Sequence, residues 1–107
     1  MNESLIAQLK NFTILCVEDE DIIRKGIVNT LKYYFKDVLD ASNANDAYDL
    51  YLEYKPDIIL SDIEMPKKNG IKMVEEIREH DLTTIIVMLT AYSNEEYLLE
   101  LINLNIS

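Results

Sequence analysis

The sequence predicts an α/β fold in which helices cover both faces of a parallel sheet. Short apolar runs rich in Ile and Val alternate along the 107-residue chain with longer segments of helical periodicity. Apolar runs of this kind are typical of strands that are buried on both faces, as the strands of parallel sheets are. Their alternation with helices favours right-handed crossovers between parallel strands, and the chain length suits one domain.

Four strands are predicted, in the order in which the apolar runs occur. The continuous runs cover Thr13–Val17, residues 58–60 and residues 84–89, and a weaker run at Asp37–Ala41 has the character of an edge strand. Helical periodicity is predicted over residues 21–34, 45–55 and 71–80, and a fourth helix opens at Ser93 with the capping-box sequence Ser-Asn-Glu-Glu.

The chain ahead of the first strand is predicted as a lead-in of residues 1–10. It is either partly frayed, as termini often are, or a short helix with Leu5, Ile6 and Leu9 on one face. Residues 11–107 are predicted to form the domain itself.

Composition excludes several classes of function. The chain carries 20 acidic and 10 basic residues, which gives a net charge of −10. Nucleic acids and anionic membranes both bind basic surfaces, so direct binding to either is not expected. The single cysteine, Cys16, excludes an intramolecular disulfide and is predicted to be a buried packing residue. No signal peptide and no apolar run long enough for a membrane span is present, which predicts a cytoplasmic location.

Carboxylates follow two of the predicted strands. Glu18 and Asp19 come directly after the first strand, and Asp62 stands at the end of the third. Because the carboxyl ends of neighbouring parallel strands meet at one edge of a sheet, these three side chains are expected to converge. Clustered carboxylates repel one another, and Mg²⁺ is a cation that prefers such oxygen ligands while keeping several waters. Thr90, at the end of the fourth strand, would place a hydroxyl in the same crevice for a phosphoryl oxygen.

The whole pattern resembles the receiver domain of two-component response regulators. The matching features are an acidic pair after the first strand, an aspartate at the end of the third, a Met-Pro step and a glycine after it, and a Thr-Ala step after the fourth strand: Glu18-Asp19, Asp62, Met65-Pro66, Gly70 and Thr90-Ala91. These features agree in order and separation from residue 11 onward. The resemblance implies a flavodoxin-like, doubly wound parallel sheet with strand order 2-1-3-4.

The resemblance also implies a role for each matched residue. Asp62 is similar to the phosphoacceptor, and Asp19 to the direct Mg²⁺ ligand. Glu18 would act on the metal through water or as a second acidic partner, and the backbone carbonyl of Glu64 would be a further ligand. Thr90 is similar to the switch hydroxyl. Receiver domains take phosphate from a sensor histidine kinase or a small phosphodonor, catalyse the transfer themselves and often catalyse the later hydrolysis.

The family pattern continues with a fifth strand, a lysine at its end and a fifth helix, which this sequence does not reach, so the receiver domain is expected to be incomplete. Lys67 and Lys68 are candidates to replace that lysine, but their position in a turn after Asp62 disfavours it. Without a fifth strand, the fourth becomes an apolar edge that invites pairing, which predicts a homodimer or an element-exchanged oligomer. The alternative expectation is that the chain is a piece of a longer regulator that also carries an output domain.

Other functions stay open or are excluded. The chief alternative is a receiver-derived interaction module that no longer switches by phosphorylation. A haloacid-dehalogenase-like phosphatase needs a second aspartate where Glu64 stands, and a dinucleotide-binding enzyme needs a glycine-rich first turn that is missing. Glu18 and Asp19 could alone be explained as helix-dipole partners, as could His80 at the other end of a helix. Tyr48, Tyr51 and Tyr54 are interpreted as packing or surface residues.

Overall fold

The computed structural model describes residues 3–62 and 70–89 of the chain. These residues form four helices and four strands, which alternate along the chain. The elements are α1 (Glu3–Leu9), β1 (Thr13–Val17), α2 (Asp21–Leu31), β2 (Asp37–Ala41), α3 (Ala44–Tyr54), β3 (Ile58–Asp62), α4 (Gly70–Arg78) and β4 (Ile85–Leu89). The predicted helix at Ser93 lies outside the described residues.

The four strands form one parallel sheet in the order β2-β1-β3-β4, which confirms the predicted strands and their order. In the register, Val17 of β1 lies between Ala41 of β2 and Ser61 of β3. β3 continues past its apolar run, and Asp62 still pairs with Leu89 of β4. The central strands therefore end together at one edge of the sheet.

Apolar side chains fill both faces of this sheet. On one face, α2 packs against a cluster that includes Leu31 and Cys16, and Leu9 from α1 joins it. On the other face, α3 and α4 pack against a cluster that includes Ala47 and Met73. Cys16 is 1% exposed and free, which confirms the predicted buried packing role. Packing on both faces explains why the sequence shows continuous apolar runs rather than alternation.

Some helix ends differ from the prediction. α2 ends at Leu31, not at residue 34, because the amide of Tyr34 bonds the carbonyl of Leu31 in a tighter turn that leads the chain into β2. α3 begins at Ala44, where the side chain of Asn43 accepts a hydrogen bond from the amide of Asp46. α4 likewise covers Gly70–Arg78 and not residues 71–80. Periodicity alone does not register such local hydrogen bonds at helix ends.

The residues ahead of β1 form the short helix that the sequence left as one of two alternatives. Leu9 of α1 is fully buried, and the ammonium of Lys10 donates to the carbonyl of Tyr33 over 2.7 Å. The lead-in is therefore packed against the end of α2. Within the described ranges, no helix combines the length and the apolar content that a bilayer crossing requires.

The side chains of β4 are less exposed than the sequence suggests. Val87 is 2% exposed and Leu89 is 6% exposed, while Ile85, Ile86 and Met88 are partly buried. The large apolar residues that are exposed in the described part of the chain belong to other segments, such as Ile22 and Leu82. Within the described part of β4, two apolar side chains are thus buried and three stay partly exposed.

A hydrogen-bonded cluster lies where α3 meets the loop between α4 and β4. The hydroxyl of Tyr51, which is 1% exposed, donates to Asp81 over 2.6 Å, and Asp81 also accepts from Thr84. Hydrogen bonds from Thr84 and then Tyr51 hold the pKa of Asp81 well below its ordinary range. His80 lies beyond the end of α4, 3.1 Å from the hydroxyl of Tyr48. Tyr51 thus packs as predicted, and His80 contacts a tyrosine side chain.

Candidate metal centre

Three carboxylates meet where β1 and β3 end. The parallel register sets Val17 opposite Ser61, so Glu18 and Asp62 follow side by side at the same edge. Glu18, Asp19 and Asp62 each offer one carboxylate oxygen, and these three oxygens lie within 4.8 Å of one another. The structure thus brings together the three side chains that the sequence predicted to converge.

Backbone hydrogen bonds fix the loop that carries Glu18. Its amide donates to the carbonyl of Ala41 over 3.1 Å, which extends the pairing of β1 with β2 by one residue. Its carboxylate accepts from the amide of Glu20 over 3.1 Å, at the start of α2. The Glu20 side chain makes no cap bond of its own, so Glu18 also serves the helix terminus as a first-turn acid would. Glu18 therefore contacts the start of α2, as the helix-dipole explanation expects, and it also lies in the carboxylate cluster.

The environment of Glu18 disfavours its charged form. Glu18 is 7% exposed. Burial removes water from its carboxyl group, and this is the largest of the causes that raise the pKa of Glu18 to about 7. A hydrogen bond to the Asp19 side chain and the charge of Asp62 act in the same direction, while the amide of Glu20 opposes them. The three carboxylates are therefore unfavourable as three full negative charges without a cation.

The donor set fits a hard divalent cation. All three side chains supply carboxylate oxygens, and Glu18 is both buried and held within the cluster by a hydrogen bond. Mg²⁺ takes such ligands and keeps waters in its remaining positions, which would leave room for a phosphoryl oxygen. Softer transition metals prefer nitrogen or sulfur, which this group does not offer.

Several predicted site residues lie outside the described residues. These are the proposed ligand Glu64, the switch hydroxyl of Thr90, the Met65-Pro66 step and the two lysines Lys67 and Lys68. Their predicted roles stay predictions.

The sequence did not predict how closely Ser61 and Gly70 approach the carbonyl oxygen of Asp62. The hydroxyl of Ser61, which is fully buried, donates to the carbonyl of Asp62 over 2.9 Å. Gly70 begins α4 so close to this strand end that a Cβ added to it would overlap the carbonyl oxygen of Asp62 and lie 3.0 Å from the Ser61 hydroxyl oxygen. The signal in the sequence was the glycine itself, since glycine marks places where backbones approach closely.

The raised pKa of Glu18 predicts how the stability of the metal-free protein depends on pH. Between pH 4.5 and about 7, folded Glu18 holds a proton that the unfolded chain has released. The stability from this proton is fully present below pH 4.5 and is lost as the pH rises through about 7. The whole effect is on the order of 3 kcal/mol, since one unit of pKa corresponds to about 1.4 kcal/mol.

Urea denaturation of the metal-free protein at pH 5 and pH 8 measures this effect. Glu18→Gln should remove most of the decline, because the amide does not ionise. Glu20→Gln is a matched control, because it alters an exposed carboxylate two residues away and should decline as the wild type does. An undiminished decline in Glu18→Gln would show that other groups cause it.

Comparisons with known proteins relate this chain to response regulators. Residues 14–107 match the family described as response regulator receiver domain. The chain is 34% identical over 87 residues to the regulatory protein AtoC of Escherichia coli, a match that covers 81% of this chain and 19% of AtoC. It is 35% identical over 83 residues to the chemotaxis protein CheY of Halobacterium salinarum, covering 78% of this chain and 69% of that protein.

Solved structures show the same fold. The N-terminal domain of an uncharacterized protein from Wolinella succinogenes matches with a TM-score of 0.71 and 28% identity, over 87% of this chain and 75% of the other. The chemotaxis protein CheY4 of Vibrio cholerae matches with a TM-score of 0.81 and 23% identity, over 89% and 98% of the two chains. By contrast, the chain spans only 35% of the Staphylococcus aureus transcriptional regulatory protein HptR, to which it is 31% identical.

Proposed function

This chain belongs to the response regulator receiver domain family, and from that premise we propose that it accepts a phosphoryl group on Asp62 with the help of Mg²⁺. The phosphorylated form would change conformation and so control a partner or an output domain. The observation that supports the proposal is the meeting of three carboxylates at the ends of β1 and β3.

Asp62 is the proposed nucleophile. One of its carboxylate oxygens forms a bond to phosphorus, while the bond from phosphorus to the donor atom breaks and the donor leaves with the electron pair. The product is an acyl phosphate on the Asp62 side chain. Asp19 would hold the cation beside Asp62 directly, and Glu18 would act on it through water or as a second acidic partner. The chain would thus catalyse the transfer of a phosphoryl group to its own Asp62 and the later hydrolysis of that acyl phosphate.

Mg²⁺ would supply charge neutralisation, since it offsets both the clustered carboxylates and the negative oxygens of the incoming phosphoryl group. The backbone carbonyl of Glu64 is proposed as a further ligand, and the hydroxyl of Thr90 as the group that moves toward the phosphoryl oxygens. These two assignments rest on the family resemblance, because both residues lie outside the described ranges.

The proposed phosphate sources are a sensor histidine kinase or a small phosphodonor, because receiver domains interact with such kinases. Relatives named as regulatory and transcriptional regulatory proteins support an output domain in the intact protein, which this chain would control.

Beryllium fluoride with Mg²⁺ tests the proposal directly, because it mimics a phosphoryl group on an aspartate. The chain has seven tyrosines and no tryptophan, so backbone amide NMR shifts are a better readout than tryptophan fluorescence. We expect Mg²⁺ alone to shift the amides of Glu18, Asp19 and Asp62. Beryllium fluoride added with Mg²⁺ should shift them further and should also cause changes beyond the site. Asp62→Asn should lose the response to beryllium fluoride. A folded wild type with no response would favour the alternative of a non-switching interaction module.

The homodimer is a separate proposal about the edge of the sheet. Within the described residues, β4 pairs with β3 on one side, and partly exposed Ile85, Ile86 and Met88 lie along it. Sedimentation velocity should show a dimer whose fraction rises with protein concentration. A monomer that persists at high concentration would contradict dimerisation at this edge, and it would leave the assignment of Asp62 untouched.

A further inference from the structure

Arg24 binds the loop that carries the acidic site. It lies in α2, and its side chain is only 13% exposed although it carries a full charge. One terminal nitrogen of its guanidinium, Nη1, donates to the backbone carbonyl of Glu18 over 2.9 Å. The bond reaches the peptide that joins Glu18 to Asp19, so it acts on the backbone of the acidic pair.

The other nitrogens of Arg24 attach the same group to two further elements. Nε donates to the Asp40 carboxylate over 3.0 Å, and Nη2 donates to the Asp21 carboxylate over 2.7 Å. Asp40 belongs to β2 and pairs in register with Cys16 of β1. The planar guanidinium thereby links the end of β1, the start of α2 and the adjacent strand β2, a set of directions that a lysine ammonium does not reproduce.

Both polar groups of the Glu18 backbone are thus held. Its amide bonds Ala41 of β2, and its carbonyl bonds Arg24. With both held, the peptide that follows has one orientation, and the Asp19 side chain leaves the chain on the side of Asp62.

We propose that Arg24 is a positioning residue for the cation site, which it serves by holding the Glu18–Asp19 peptide and not by touching the metal. This inference rests on the proposed function only in taking Glu18 and Asp19 as the groups that hold the cation. The geometry of the loop in the metal-free protein is a separate part of it and can be measured alone.

The sign of one measurement separates positioning from simple charge. Arg24 is a cation near an acidic site, so its field opposes the binding of Mg²⁺. Loss of the charge alone would therefore strengthen Mg²⁺ binding. Loss of the correct loop geometry would instead weaken Mg²⁺ binding. The removal of groups that orient metal ligands weakens metal binding by about 10-fold to 100-fold.

Four proteins are compared: wild type, Arg24→Gln, Arg24→Lys and Lys25→Gln. Arg24→Lys keeps the charge and loses the planar fork. Lys25→Gln is the matched control, since it removes one positive charge from the neighbouring, exposed position of the same helix. Amide hydrogen exchange is recorded without metal at Glu18 and Glu20, with Leu15 in the buried strand β1 as the reference, and Mg²⁺ binding is then titrated by NMR.

Arg24→Gln should speed exchange at Glu18 and Glu20 by about tenfold relative to Leu15, because the opening is local. It should also weaken Mg²⁺ binding by at least about tenfold. Arg24→Lys should fall between this variant and the wild type, and Lys25→Gln should match the wild type or bind Mg²⁺ slightly more tightly. If Arg24→Gln does not fold, Arg24→Lys decides by the same two readouts.

Unchanged exchange at Glu18 and Glu20 in the Arg24 variants would overturn the inference, and so would unchanged or tighter Mg²⁺ binding in Arg24→Gln. Wild-type affinity in Arg24→Lys would also overturn it, because the planar guanidinium would then not be needed to hold the loop. A wild type that binds no Mg²⁺ would refute the proposed function instead, and the exchange rates without metal would then decide the role of Arg24 by themselves.

Discussion

Replacement of Asp62 by asparagine is expected to abolish phosphorylation of this chain by a small phosphodonor such as acetyl phosphate. The amide is neutral and a poor nucleophile, so the oxygen that would bond phosphorus is lost. Intact-mass measurement after incubation with Mg²⁺ and the donor should show one added phosphoryl group on the wild type and none on Asp62→Asn. The wild-type adduct should be removed by hydroxylamine, which attacks acyl phosphates.

Asp49→Asn is the matched control, because it removes an exposed carboxylate from α3 and should leave phosphorylation intact. The metal-free Asp62→Asn protein should also show a lower pKa for Glu18, because the charge of Asp62 is one cause that raises that pKa. A phosphoryl group that persists on Asp62→Asn would mean that another residue is the acceptor.

Replacement of Gly70 by alanine adds one methyl group. Among such additions at the described residues of this site, it should lower the free energy of unfolding most. The new Cβ would overlap the carbonyl oxygen of Asp62 and lie 2.9 Å from the terminal methyl of Met88. Met88 can move, but the backbone oxygen belongs to a paired strand and cannot. Overpacking of this kind costs about 1–3 kcal/mol, and it opposes the roughly 1 kcal/mol that alanine gains over glycine inside a helix. We therefore expect a net loss of up to about 2 kcal/mol, together with slower phosphorylation as the end of β3 shifts.

Gly26→Ala provides the opposite case within the same chain. A Cβ at Gly26 would meet no heavy atom within 4 Å, and the residue lies inside α2. This variant should gain about 0.5–1 kcal/mol from helix propensity alone. Urea denaturation compares both variants with the wild type. Equal changes in the free energy of unfolding at the two glycines would show that the contact with Asp62 does not prevent a side chain at position 70.

The convergence of the acids was predictable because it follows from topology. Once residues 13–17 and 58–60 are recognised as parallel strands, Glu18 and Asp62 must emerge at the same edge if the strands are neighbours. The separate apolar runs establish the strands, and no long-range side-chain contact needs to be known. The acidic pair and Asp62 were therefore identified from local patterns together with one rule about parallel sheets.

The contacts that support the site were not predictable in the same way. Arg24 lies on a helix among other charged residues, and nothing in its spacing says that its guanidinium reaches Glu18 and Asp40. The bond from Tyr51 to Asp81 likewise joins residues that are distant in sequence and share no periodic pattern. The amide of Lys36, just after the turn that ends α2, bonds the carbonyl of Phe12, which is again a contact between distant segments. Each depends on tertiary proximity, which a single sequence does not display.

Because Glu18 and Asp62 meet from distant parts of the chain, the proposed cation binding would also be coupled to folding. An unfolded chain has no such cluster, so a cation held there binds the native state alone and stabilises it by mass action. At a free Mg²⁺ concentration ten times its Kd, the gain would be about 1.4 kcal/mol. The ambient level of divalent ions would then set how much of this acidic domain is folded, apart from any signal it carries.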